Sequence, residues 1–273
     1  MHPALAGTIR CRRAGVRLSP GAIGRTDPDP GGATVDEALR DKKIVIVGGG
    51  SGIGRRIARD ALDRGASVVL ADRDQARLEQ SAAELIGEVD TARLDLDDEG
   101  SVIALAEQVG ELDHLVSLAA NHANGPVTEL RRDAIVRAFD AKVIGVLLLA
   151  KHLAGRFRDG GSMLLFSGIA AWKPEPGLVV MATTNGAVSF LAGALAVELA
   201  PLRVNALSPG IVDSGAWDHL GAEKEKMFAD VAARIPARRI GRPADISAAA
   251  LVALADPFMT GATVHVDGGG RLV

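Results

Sequence analysis

Residues 44–54 read IVIVGGGSGIG, and this stretch decides the fold. Ile44, Val45, Ile46 and Val47 form an unbroken β-branched run, the pattern of a strand buried on both faces of a parallel sheet. A glycine-rich turn follows, and then Ile57, Ala58, Ala61 and Leu62 recur at helical spacing. The unit is strand, turn, helix. Glycine has no Cβ, so its backbone admits a pyrophosphate, and the N–H groups opening the helix face that anion. Asp72 stands eighteen residues after Gly54, at the end of a second strand, where a carboxylate meets a ribose. The stretch therefore predicts a dinucleotide-binding turn made by Gly48, Gly50, Ser51, Gly52, Ile53 and Gly54.

Outward from that unit the pattern alternates. Strands are expected at 43–48, 66–71, 89–94, 113–119, 161–167, 202–207 and 263–267. Helices are expected at 52–64, 74–86, 99–109, 128–157 (two helices or one bent one), 180–200, 222–234 and 243–255. Such alternation implies an α/β fold, a doubly wound, seven-stranded parallel sheet in a single domain over 41–273. The one long connection, residues 209–242, falls at the carboxyl edge of the sheet, where ligands bind, and reads as a substrate lid. Residues 1–40 differ: five arginines precede the first acidic residue, Asp27, and a turn-rich TDPDPGGAT follows. They are expected to be a disordered extension or an upstream start, with initiation near Val35; an Arg-rich targeting peptide is the alternative. No secretory hydrophobic segment is visible, so the expected location is the cytoplasm.

Bulk properties narrow the function. The net charge is −3 with no long basic run, so nucleic acid is not an expected partner. A single cysteine, Cys11, excludes an internal disulfide framework and a Cys-based metal cluster. His114, His122 and His152 are scattered, so no metal is expected. No apolar run is read as membrane-spanning, and no G-x-S-x-G nucleophile elbow exists. The chain contains no tyrosine.

Asp72 should accept hydrogen bonds from ribose hydroxyls and repel a 2′-phosphate, favouring NAD; Arg73 beside it leaves NADP open. Asp95 and Leu96, after the third strand, are placed to meet the adenine.

With GGGSGIG at 48–54, LDLDD at 94–98, RVNALSPGIVDS at 203–214, RRIGRPADI at 238–246 and TGATVHVDGG at 260–269, the chain resembles the short-chain dehydrogenase/reductase family. The resemblance covers roughly residues 42–270. It implies that Ala119 and Ala120 border the nucleotide, and that Pro209, Gly210, Val212 and Ser214 serve its nicotinamide end. It also implies a homodimer or homotetramer built on the helices at 142–157 and 180–200. The second of these is rich in small residues that allow close packing.

The family's Tyr-x-x-x-Lys signature, upstream Ser and earlier-helix Asn are absent. Alignment puts Met181 at the Tyr position, Asn185 at the Lys position, Gly168 at the Ser position with Ser167 one residue early, and Lys142 at the Asn position. General acid–base help of the lost kind is worth about 10²–10⁴ in rate. Lys142 is the first replacement candidate: a cation in an apolar helix if buried, a bystander if it lies on the polar face. Ser167 and His122 follow. Trp172 and Lys173, and Trp217 and His219 in the lid, read as cleft walls. The expected activity is hydride transfer between NAD(P) and a small carbonyl, alcohol or imine. The alternatives are a nucleotide-binding regulatory protein without turnover, and an isomerase or cyclase reusing the cleft.

Overall fold

The computed structural model describes residues 33–273. Seven strands run Lys43–Val47 (β1), Ser67–Asp72 (β2), Val89–Arg93 (β3), Leu112–Ser117 (β4), Phe157–Phe166 (β5), Arg203–Pro209 (β6) and Thr263–Val266 (β7). They form one parallel sheet in the order β3-β2-β1-β4-β5-β6-β7. Nine α-helices are described: Val35–Leu39 (α1), Gly52–Leu62 (α2), Gln75–Ala83 (α3), Glu99–Val109 (α4), Arg132–Phe139 (α5), Gly145–Leu153 (α6), Val179–Glu198 (α7), Glu223–Arg234 (α8) and Pro243–Ala255 (α9).

The β-branched run of β1 is fully used. Successive strand residues point to opposite faces. Val45 and Val47 join the core under α4, α6 and α7, while Ile44 and Ile46 join the core under α1, α2 and α9. All four are 0–2% exposed, so each face gains the full burial of its β1 residues.

Three expectations need correction. The segment before residue 41 is not all irregular: Thr34 caps α1 in a reciprocal capping box with Glu37, and Leu39 is fully buried. The arginine-rich stretch and Cys11 lie outside the described residues. β5 begins at Phe157, earlier than expected, because a bulge interrupts it: Leu112 pairs with Phe157, but His114 pairs with Ser162. The span 128–157 is, as expected, two helices, here joined by a π turn, Asp140–Ile144. Finally, α7 is long and apolar enough to cross a membrane by length and composition, contrary to the reading of the sequence. In the fold its Val188, Ala192 and Leu195 pack into the core under β5 and β6.

Candidate active site

The nucleotide half begins where β1 ends. Gly48 and Gly52 adopt φ of 83° and 53°, conformations that favour glycine. A Cβ on Gly54 would collide with the Gly48 carbonyl, and one on Gly52 would stand 2.7 Å from the Ser214 carbonyl oxygen. The turn is a cradle with no room for side chains, and α2 starts in it with Ser51 at its N-cap. Its amide dipoles face the space a pyrophosphate needs. Ile53, in the first turn of α2, is half-buried against the core.

Asp72 closes β2, and its Oδ2 lies 3.4 Å from where a Gly50 Cβ would be, so the carboxylate borders the turn. Arg73 points away from that spot, donating to Asn121 Oδ1 at 3.5 Å. Arg77 was not anticipated: its stem lies over Gly50, 3.2 Å from a Cβ there, and its guanidinium pairs with Asp74. An arginine five residues past Asp72, in the first turn of α3, was the available signal.

Leu96 is buried against Gly145, where a Cβ would lie 2.8 Å from Leu96 Cβ, so its side chain belongs to the core. The Asp95 amide is held by Ser101 Oγ at 2.9 Å. Ala119 and Ala120 follow β4; the Ala119 amide lies 3.3 Å from a Cβ on Gly48, so they border the glycine turn. Gly210 abuts Asp267, and Val212 is buried, bridging Gly241 across the base of the 209–242 segment. Pro209 ends β6 beside them. These residues fit a dinucleotide: an open, side-chain-free turn at a helix N-terminus, with a carboxylate at the end of the next strand.

The other half of the cleft is built differently. The π turn adds a residue to the helix and swings Lys142 inward; π turns of this sort recur at functional sites. Lys142 is 9% exposed, so it is not on the polar face. Its ammonium donates to the Phe166 carbonyl at 3.0 Å, to the Ser167 carbonyl at 3.2 Å and to Asn185 Oδ1. Those two carbonyls end β5, and Asn185 lies on α7 one turn after Met181. Burial lowers the Lys142 pKa to about 8, while the three acceptors favour the ammonium. All three N–H groups are thereby engaged.

Ser167 is also turned inward. Its hydroxyl donates to the Asn185 carbonyl at 2.8 Å and accepts from Ser189 Oγ at 3.0 Å. A Cβ on Gly168 would lie 2.7 Å from Asn185 Nδ2, so Asn185 fills the space a serine there would need. The sequence reading treated positions 142 and 185 as separate losses; the structure joins them in one hydrogen-bonded pair.

His122 is exposed beyond β4, yet surrounding protein, then Lys142 and then His219 lower its pKa, so it is neutral at pH 7. Trp172 stacks edge-on against His265 at 4.9 Å. Trp217 Nε1 donates to the Val212 carbonyl, and His219 Nδ1 lies 3.0 Å from the Ala216 carbonyl, so both are tied within their own segment. Among the described residues no group of three His, Cys, Asp or Glu could hold a metal ion.

Residues 48–270 match the family model described as enoyl-(acyl carrier protein) reductase. The chain belongs to the short-chain dehydrogenase/reductase family. A short-chain dehydrogenase/reductase of Acremonium sp, ucsE, is 32% identical over 86% of this chain and 97% of its own length. Among solved structures, the MalC reductase/Diels-Alderase of Malbranchea aurantiaca superposes with a TM-score of 0.84 at 28% identity, covering 88% of this chain and all of that one. A small-chain dehydrogenase in complex with NADPH superposes at 0.73 with 32% identity, covering 85% of this chain and all of that one. Family membership carries a nicotinamide-dependent oxidoreductase framework.

Proposed function

We propose that this protein is a nicotinamide-dependent oxidoreductase whose substrate oxygen or nitrogen is served by a buried lysine charge instead of a tyrosine acid. The observation that carries the reading is the contrast between an open nucleotide cradle and the buried Lys142–Asn185 pair. A nicotinamide bound in the cleft would supply or accept the hydride. Gly48, Gly50, Gly52 and Gly54 admit the pyrophosphate, and Asp72 orients the ribose and disfavours a 2′-phosphate, so NAD is the expected cofactor. Lys142 acts through its charge. A fixed ammonium in a poorly solvated floor stabilises negative charge developing on the substrate without giving up a hydrogen-bonded proton. The proton the product then needs comes from His122 or water.

The same reading takes the protein as a cytoplasmic homo-oligomer. Ile144 and Leu147 near α6, and Phe190 and Val197 on α7, are exposed apolar residues that a second copy would cover. A cyclase is the second reading, favoured by the likeness to a chain named as both reductase and Diels-Alderase. The test is turnover of NADH and NADPH against paired carbonyl and imine substrates. NADH-dependent reduction of either member of a pair supports the first reading. Nucleotide binding without redox turnover, together with rate enhancement of a cyclisation, supports the second.

A further inference from the structure

At the amino edge of the sheet, opposite the nucleotide turn, one register row is polar. Ile44 on β1 pairs with His114 on β4, His114 with Ser162 on β5, and Ser162 with Arg203 on β6. Residues paired across parallel strands share a face, here the one covered by α1, α2 and α9. Two residues further on, β1, β4 and β5 are apolar on that face, with Ile46, Val116 and Leu164 in the core, and the one polar member, Asn205 on β6, is satisfied by Met259 and Ala262 backbone. His114, Ser162 and Arg203 are nevertheless 3%, 1% and 8% exposed. The β5 bulge opens space beside them, and a cleft of about 250 Å³ lies there, lined by Lys42, His114, Asp159, Pro201 and Arg203 among others.

The chemistry of this row is incomplete. The Arg203 guanidinium donates to the carbonyls of Ala253, Leu254, Met259 and Gly160 at 2.6–3.4 Å. That offsets the negative end of α9; Asp256 acts on the charge through space, but among the described residues no carboxylate lies within ion-pair distance of it. His114 Nδ1 lies 2.9 Å from Ser162 Oγ, while Nε2 is buried without a partner among the described residues. Arg203, on the other side of Ser162, only donates. The Ser162 hydroxyl hydrogen is therefore best directed to Nδ1, which leaves the proton on Nε2. Burial pushes the His114 pKa down to about 4, so at pH 7 the ring is neutral and offers one N–H. Lys42 stands at the rim, its ammonium 3.1 Å from Asp113. A buried donor without an acceptor is costly and rare in folded proteins.

We infer that this amino-edge cleft binds a small oxyanion, a phosphate or a compact carboxylate, through His114 Nε2, the Arg203 charge and Lys42. An oxyanion supplies both the acceptor His114 lacks and a direct ion-pair partner for Arg203, with Lys42 at the rim set against Asp159 on the same lining; a water supplies only the first. The row lies at the opposite end of the strands from the nucleotide turn, so the two ligands do not compete.

Calorimetric titration of the full chain tests this, with sodium phosphate and separately sodium malonate, at ionic strength fixed with sodium chloride. One saturable site per chain for at least one of them is expected. It should weaken at least tenfold in Lys42→Met and vanish in His114→Phe, with NADH affinity unchanged in both. Lys42 is at the rim, so its variant keeps the test valid if His114→Phe does not fold. Absence of saturable binding by both anions in the wild type, or Lys42→Met affinity within twofold of wild type, would overturn the inference.

Discussion

The two halves of the cleft are held by different kinds of constraint. In the nucleotide half the decisive features are backbone ones: φ values of 83° and 53° at Gly48 and Gly52, and the absence of room for a Cβ at Gly54. In the half around Lys142 they are side-chain ones: Lys142, Ser167 and Asn185 answer one another's hydrogen bonds. A backbone cradle tolerates almost no substitution. A side-chain network tolerates a coordinated one, so long as its buried charge stays satisfied. In this chain the buried charge is satisfied by Asn185 from α7 and by two backbone carbonyls.

The largest effect should follow from closing the cradle. Gly54→Val puts a branched Cβ against the Gly48 carbonyl, and NADH affinity by calorimetry should fall about 100-fold or more, about 2.7 kcal/mol. A variant that still binds NADH normally would break the comparison on its nucleotide side. The next effect concerns the Lys142–Asn185 pair. Met181→Tyr with Asn185→Lys alone would set a second ammonium against that of Lys142, and this double variant should lose stability without gaining activity. Adding Lys142→Asn removes the clash, and carbonyl reduction should then rise about 100-fold over wild type. Equal activity in the double and triple variants would mean that the two positions do not act as a pair.

Smaller effects sharpen the account. Asp72→Ala should shift the ratio of NADH to NADPH affinity about tenfold toward NADPH, read by paired titrations. No shift would mean that the carboxylate, though at the turn, is not what the ribose meets. The smallest concerns stability. The unfolded state protonates His114 near 6.5 and the folded state only near 4. The unfolded state thus binds more protons between those values, and stability should fall as pH drops from about 6.5 toward 4. Urea unfolding at pH 7 and pH 4.5 should show a shallower loss in His114→Phe.

Most of the fold was legible in the sequence because strand burial and glycine turns are local patterns. The Ile44–Val47 run and the alternation after it suffice for the sheet. The β5 bulge was not legible, since its cause is a register shift against β4 that single-strand patterning does not carry. Nor was α1, five residues fixed by a capping box and one buried leucine. In the site, Asp72 and the glycines could be read from spacing. The Lys142–Asn185 contact joins residues 43 positions apart, and only packing of the π turn against α7 reveals it. The inward turn of Ser167 was hidden for the same reason: its acceptor is a backbone carbonyl of another element.

The central claim is that Lys142 supplies charge to turnover and nothing to nucleotide binding. The direct measurement is kcat of wild type and Lys142→Met at saturating NADH from pH 6 to 10, with NADH titrations beside it. With a folded-state pKa of about 8, the ammonium is present below that pH and lost above it. Wild-type kcat should therefore fall as pH rises through about 8. Lys142→Met should be about 100-fold slower at pH 7, with a flat profile and unchanged NADH affinity. Equal kcat and the same falling limb in both proteins would contradict the account.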